Sequence, residues 1–137
     1  MATNRGPHRI PLFRRIVLPL LRATGRDILT RNPWTPGARL RLNSYRHKGY
    51  WYHGQNRERK TMDLFTRLVQ PGFHVIEVGA HIGYITQYLA FLVGQRGSVV
   101  AYEPGNNNLC YTRWNVGEGL TGARAGSVRL IEKAVGA

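Results

Sequence analysis

The chain has 137 residues, of which 42% are hydrophobic, and this is enough for one domain with an ordinary core. No run of about 18 apolar residues occurs, so we expect no membrane-spanning helix and a cytoplasmic protein. The single cysteine, Cys110, excludes an internal disulfide and gives no metal-binding constellation. We expect Cys110 to be a small core-facing residue on a helix, and we predict no metal site.

The positive charge lies almost entirely in the first part of the chain. The net charge is +13, and residues 1–60 carry 14 of the 20 lysines and arginines but only two acids, Asp27 and Glu58. Residues 61–137 are nearly neutral. We therefore divide the chain into a basic N-terminal arm with a linker, residues 1–54, and a second unit, residues 55–137.

The arm has an irregular pattern. Residues 1–7 are expected to be disordered, and residues 10–29 have apolar residues at helical spacing that Pro11 and Pro19 interrupt. Residues 32–37 have the proline and glycine content of a linker. We predict two short strands, joined by a turn at Lys48-Gly49, over residues 40–42 and 50–52.

The second unit alternates between helical and strand patterns, which predicts an α/β fold with a parallel sheet. An amphipathic helix is predicted over residues 57–69; it stops at Pro71-Gly72, and its apolar face consists of Met62, Phe65, Leu68 and Val69. Further helices are predicted over residues 82–93 and 107–115, the second capped by Asn106 or Asn107. The strands are predicted at residues 73–78, 98–103 and 127–132.

The apolar runs of the first two predicted strands each lead into an acidic residue, Glu77 and Glu103, and a glycine turn follows the first strand. A dinucleotide-binding G-x-G-x-x-G turn that starts at Gly79 needs glycine where His81 and Tyr84 stand, and the chain has no Gly-Lys-Ser/Thr of a P-loop. What remains is acid-x-Gly-x-x-x-Gly, the spacing of the S-adenosylmethionine (SAM) loop in Rossmann-like methyltransferases. A carboxylate beneath a loop without lysine suits a cationic ligand.

Several segments resemble, in the same order, the FkbM family of SAM-dependent methyltransferases. The resemblance extends from about Gln55 to the end of the chain, and its segments are Pro71-Gly72, residues 75–84, residues 97–104, Asn115-Val116 and Ala134-Val135-Gly136. The family usually has aspartate where Glu77 stands and asparagine where His81 stands. Glutamate keeps the charge, and histidine keeps a polar side chain that tolerates a left-handed turn. The alternative is an unrelated α/β protein with ordinary buried strands, in which Glu77 only caps a nearby backbone.

The resemblance implies a Rossmann-like class I methyltransferase fold, truncated after about its third strand, with residues 55–137 as the N-terminal half of a SAM-binding domain. It implies methyl transfer from SAM to a hydroxyl of a small-molecule or glycan acceptor, by catalytic residues that lie beyond residue 137, so the chain alone would be inactive. Glu103 would bind the ribose hydroxyls of SAM. Glu77, Gly79, Ala80 and Gly83 would surround its methionine end, Tyr102 or Pro104 would flank the adenine, and His81 and Tyr84 complete the candidate set.

A second function class is a non-catalytic binding module whose basic arm contacts RNA or an anionic membrane surface. The cationic residues of the arm alternate with aromatic residues that could stack on bases, namely Trp34, Tyr45, Tyr50, Trp51 and Tyr52. A solvated basic face without a partner explains the same composition. Acidic residues and glycines at strand ends favour the enzyme, because a binding arm needs neither.

Overall fold

The structure is a computed structural model that describes residues 11–136. The disorder predicted for residues 1–7 lies outside this range. Five helices and five strands follow in chain order: α1 (Pro11–Ala23), β1 (Asp27–Arg31), β2 (Arg39–Asn43), α2 (Lys48–Tyr52), α3 (Arg59–Leu68), β3 (His74–Val78), α4 (Tyr84–Val93), β4 (Ser98–Tyr102), α5 (Asn106–Val116) and β5 (Ser127–Ile131). Within the described residues, no helix has the length and apolar character needed to cross a membrane.

Strands β3, β4 and β5 form a parallel sheet in that spatial order, which confirms the predicted α/β class. The register places Val78 opposite Tyr102 and Tyr102 opposite Ile131, so the strands end together. Helix α4 connects β3 to β4 and α5 connects β4 to β5. The carboxyl ends of β3 and β4, with the loops that follow them, therefore meet at one edge of the sheet.

The two faces of this sheet differ in burial. Val99 and Ala101 point toward α4 and are fully buried, with Val75 and Leu130 packed against the same core. The opposite face is open on β3, where Ile76 is 70% exposed. Parallel sheets are normally covered on both faces. The covered face thus fixes the sheet against α4, and the β3 edge presents apolar residues to solvent.

The arm folds differently from the prediction. The interrupted helical spacing of residues 10–29 corresponds to a helix that ends at Ala23, and Asp27–Arg31 instead forms an antiparallel hairpin with Arg39–Asn43. Its turn contains the predicted linker. The strand expected at residues 50–52 is wrong, because Lys48–Tyr52 is helical. These elements are decided by packing: alternate residues of β2 are buried against the helices of the second unit.

Three buried amide side chains, Asn32, Gln87 and Asn115, join the hairpin to α4 and α5; we call them the amide cluster. Asn32 Nδ2 donates to Gln87 Oε1 at 3.0 Å, and Gln87 Nε2 donates to the Arg39 carbonyl at 2.8 Å. Asn115 accepts from the Arg41 N–H at 2.6 Å and donates back to the Arg41 carbonyl at 2.9 Å. These amides bond backbone groups of β2 as a neighbouring strand would, so the hairpin shares one core with residues 55–136. The boundary at residue 54 stays a prediction.

Two predictions about α5 are wrong. Cys110 is exposed, because the core-facing side of α5 is formed by Leu109, Thr112 and Asn115. Neither predicted asparagine caps α5, which begins after Gly105 without a side-chain cap. On α3, Met62 is buried as expected but Leu68 is 60% exposed.

Candidate functional site

The loop between β3 and α4 has a backbone path that its glycines make possible. Gly79 and Gly83 have φ angles of 87° and 82°, in the left-handed region that glycine adopts without strain. His81 lies there too, at 52°. The N–H groups of Gly79 and Ala80 both donate to the Tyr102 carbonyl, at 2.9 and 3.0 Å. The loop is thereby held against the end of β4.

Glu103, directly after β4, holds the loop from the other side. Its Oε2 accepts the His81 N–H at 2.7 Å, and its Oε1 accepts the Gly105 N–H at 2.8 Å and Asn108 Nδ2 at 3.0 Å. Burial raises the pKa of Glu103, but these three hydrogen bonds outweigh it and leave the pKa below its ordinary value. A Cβ on Gly105 would lie 2.7 Å from Oε1, so a larger residue there would displace the carboxylate from this position. The carboxylate is therefore ionised and ordered.

The pKa of Glu77, at the end of β3, is shifted in the opposite direction. The Glu77 side chain lies on the face of the sheet that α4 covers, and its Oε2 accepts the Thr86 hydroxyl at 2.6 Å. Burial raises the pKa of Glu77 to about 7, although the Thr86 hydrogen bond opposes this, and the charge of Glu103 adds to the rise. Two neighbouring carboxylates thus differ in protonation near neutral pH, a pattern that is common at functional sites.

A cluster of aromatic side chains from the arm packs on this loop, and the sequence prediction missed it. The Tyr50 hydroxyl and His81 Nδ1 form a hydrogen bond of 3.0 Å, and their rings stack with centroids 6.0 Å apart. The Arg57 guanidinium lies 3.9 Å from the centre of the Tyr50 ring. Burial lowers the pKa of His81, and burial together with the charge of His81 lowers the pKa of His47 to about 4. Both imidazoles are therefore neutral at pH 7.

The remaining candidate residues differ in how far their side chains are buried. The side chain of Ala80, within the loop, is buried, and Pro104 is exposed beside Glu103. Tyr84 is buried in the core, where its ring packs on Tyr50 at 4.8 Å, so its side chain does not line an open surface. Tyr102 is half-buried on the sheet face away from α4. Among the described residues, no group of three or more His, Cys, Asp or Glu side chains is placed to hold a metal ion.

No family model matches this chain, and no curated protein sequence matches it either. Among solved structures, one similar chain is described as a "putative rRNA-methylase" from Clostridium thermocellum. The two are 23% identical with a TM-score of 0.45, over 55% of this chain and 40% of that one. This chain therefore spans less than half of that protein, and a similarity of this size decides neither fold nor function.

The raised pKa of Glu77 predicts that stability falls with pH. The folded protein keeps this proton up to about pH 7, whereas the unfolded chain releases it near the ordinary value of 4.5. Because the folded state binds more protons between these values, the free energy of unfolding decreases across that window and levels off above it. We expect Glu77→Gln to remove this decline and to be more stable than the wild type above pH 7 by about 1–3 kcal/mol.

Urea denaturation of both proteins across this pH range measures the difference. The control is Glu118→Gln, because Glu118 is exposed on the short helical turn after α5. Parallel stability curves for wild type and Glu77→Gln would show that Glu77 is ionised in the folded protein, contrary to the prediction.

Proposed function

We propose that this chain carries the SAM-binding part of a methyltransferase that methylates a hydroxyl of a sugar or small metabolite. One observation supports this best: two carboxylates lie at the carboxyl ends of neighbouring parallel strands, Glu77 in the last paired residues of β3 and Glu103 directly after β4, with a loop that contains left-handed Gly79 and Gly83 after β3. Ligands of open α/β sheets bind outside the carboxyl ends of the strands. Two of the segments that resemble the FkbM family, residues 75–84 and 97–104, run through β3 and β4 to this same edge.

The chemistry of the donor set fits SAM better than a phosphate-containing nucleotide. SAM carries a positively charged sulfonium and an α-amino group, which carboxylates attract. Glu103 supplies an ionised carboxylate beside the loop, Glu77 lies buried at the end of β3, and no lysine or arginine stands between residues 77 and 84. No atom lies within 4 Å of where a Cβ on Gly79 would stand, so a ligand can approach the backbone there.

Binding of the ribose at Glu103 requires a local exchange of hydrogen bonds. A carboxylate accepts about four hydrogen bonds, and Glu103 already accepts three. One position on Oε2 is left for a ribose hydroxyl, and the second hydroxyl replaces the amide of Asn108 on Oε1. The bound SAM would supply an electrophilic methyl group. The chain itself positions the ligand through the carboxylates and the loop N–H groups, and the aromatic cluster of Tyr50 and His81 covers one side.

Ligand choice is the most direct test. We expect S-adenosylhomocysteine and SAM to bind more tightly than NAD, because His81 and Tyr84 occupy two of the three positions where a dinucleotide turn needs glycine. Isothermal titration calorimetry of the chain, extended by any downstream sequence, measures all three affinities. Tighter binding of NAD than of S-adenosylhomocysteine would refute the proposal, and Glu118→Gln again serves as the surface control.

A further inference from the structure

Helix α1 is apolar on two sides, and only one of them is covered. Val17, Leu18 and Leu21 are half-buried, and Leu21 lines a cleft that the hairpin also lines. The other side carries Ile16, Pro19, Leu20 and Ala23, all of them exposed. Ile16 is 59% and Leu20 is 61% exposed. Residues at i, i+3, i+4 and i+7 lie on one helix face, so these four form a continuous apolar stripe in solvent, which we call the α1 stripe.

Arginines lie at the C-terminal end of the α1 stripe and on the hairpin that follows it. Arg22 and Arg26 are exposed at the end of the helix and just after it. On the outer face of the hairpin, Arg31 stands directly opposite Arg39, an arrangement of like charges that weakens strand pairing. Residues 1–57 contain one acidic residue, Asp27, and it forms a salt bridge with Arg41 at 3.1 Å. The stripe is therefore next to positive charge that the fold does not neutralise.

A cleft of about 440 Å³ opens between α1 and the hairpin. Leu21, Ile28 and Trp51 give it apolar walls, and Arg26, Thr24 and Ser44 complete its lining. The Trp51 indole N–H already donates to the Ser44 carbonyl at 2.9 Å, so Trp51 presents its apolar ring to the cleft. The cleft thus offers an apolar space beside one exposed guanidinium, which matches an acyl chain with an anionic headgroup.

We propose that α1 lies on the surface of an anionic phospholipid bilayer, with the α1 stripe in the headgroup region and the neighbouring arginines on lipid phosphates. Helices that bind this interface combine an apolar face with flanking arginines or lysines. Charge complementarity alone would equally suit RNA. Membrane binding is favoured because RNA gains little from exposed Ile16 and Leu20, whereas a bilayer removes both from water. The surface is separate from the loops at the sheet edge, so the proposal does not depend on methyl transfer.

Flotation of the full chain with vesicles tests this. We expect it to bind phosphatidylcholine vesicles that contain phosphatidylglycerol at least about tenfold more strongly than phosphatidylcholine alone, and less at high salt. The double variant Ile16→Ser/Leu20→Ser should lose binding to the anionic vesicles by about tenfold or more. The matched control is Leu64→Ser/Leu68→Ser, since these α3 leucines are 51% and 60% exposed but lie outside the stripe.

Three outcomes would overturn the proposal. The wild type could fail to bind anionic vesicles, the α1 double variant could bind them as the wild type does, or both leucine-containing pairs could matter equally. If the wild type binds a single-stranded RNA of mixed sequence and does not bind vesicles, the basic surface is a nucleic-acid site instead. Arg22→Glu is an independent check on an exposed side chain, and we expect it to reduce the preference for phosphatidylglycerol.

Discussion

Replacing Asn115 by leucine should lower the free energy of unfolding by about 3 kcal/mol or more, because each buried backbone group left without a partner costs about 1–3 kcal/mol. Asn115 is fully buried, and its side chain bonds the N–H and the carbonyl of Arg41 and the carbonyl of Ile82. Leucine has nearly the same shape but leaves all three groups unpaired. Domains of this size have a total stability of about 5–15 kcal/mol, so this single change removes a large part of it.

Two further variants make this test specific to hydrogen bonding. Asn115→Asp keeps the shape of the side chain, but its carboxylate has no N–H to donate to the carbonyls of Arg41 and Ile82. We therefore expect this variant to be at least as destabilising as leucine. Asn107→Leu, at an exposed position of the same helix, should change stability by less than about 0.5 kcal/mol. The measurement is the urea midpoint from circular dichroism. Equal midpoints for Asn115→Leu and Asn107→Leu would mean that the amide cluster does not fix the hairpin.

Replacing Glu103 by alanine should affect both binding and folding. It leaves the N–H groups of His81 and Gly105 and the amide of Asn108 without their acceptor. Hydrogen bonds to a charged group contribute about 1.5–3 kcal/mol each, so we expect the affinity for S-adenosylhomocysteine to fall at least about tenfold and the free energy of unfolding to fall by about 2–4 kcal/mol. Calorimetry well below the melting temperature gives the affinity, and urea denaturation gives the stability.

Asn108→Ala separates the two effects of Glu103. It removes one neighbour of the carboxylate but keeps the charge and both backbone hydrogen bonds, so the affinity should stay within about threefold of the wild type. If Glu103→Ala is folded and binds S-adenosylhomocysteine as the wild type does, Glu103 only orders the loop and the proposed ribose contact is wrong.

The three parallel strands could be predicted almost to the residue, and the hairpin could not. The predicted strand at residues 98–103 and the observed Ser98–Tyr102 agree to within one residue, because a short apolar run ends at an acid and a proline. Asp27–Arg31 has a weaker pattern of its own. It forms a strand because β2 beside it is held by amides from α4 and α5, and no local signal reports such distant partners.

The candidate site, too, could be predicted only in part. Chain order alone placed Glu77 and Glu103 at one edge, since parallel strands end together. Tyr50 stands 31 residues before its partner His81, in a segment predicted to be a strand, so nothing in the pattern linked them. The difference in protonation between the two carboxylates depends on burial and on the Asn108 amide, which also become visible only in the folded structure.

The amide cluster also sets the order in which this chain can fold during synthesis. The hairpin leaves the ribosome early, but its partners follow much later: Asn32 bonds residues 52 and 55 positions further on, and Arg41 bonds one 74 positions further on. Contacts that are this distant form slowly, because the loop between them must close first. The arginine-rich segment therefore waits undocked until α5 has been translated, and throughout that interval it is accessible to chaperones and to any anionic surface near the ribosome.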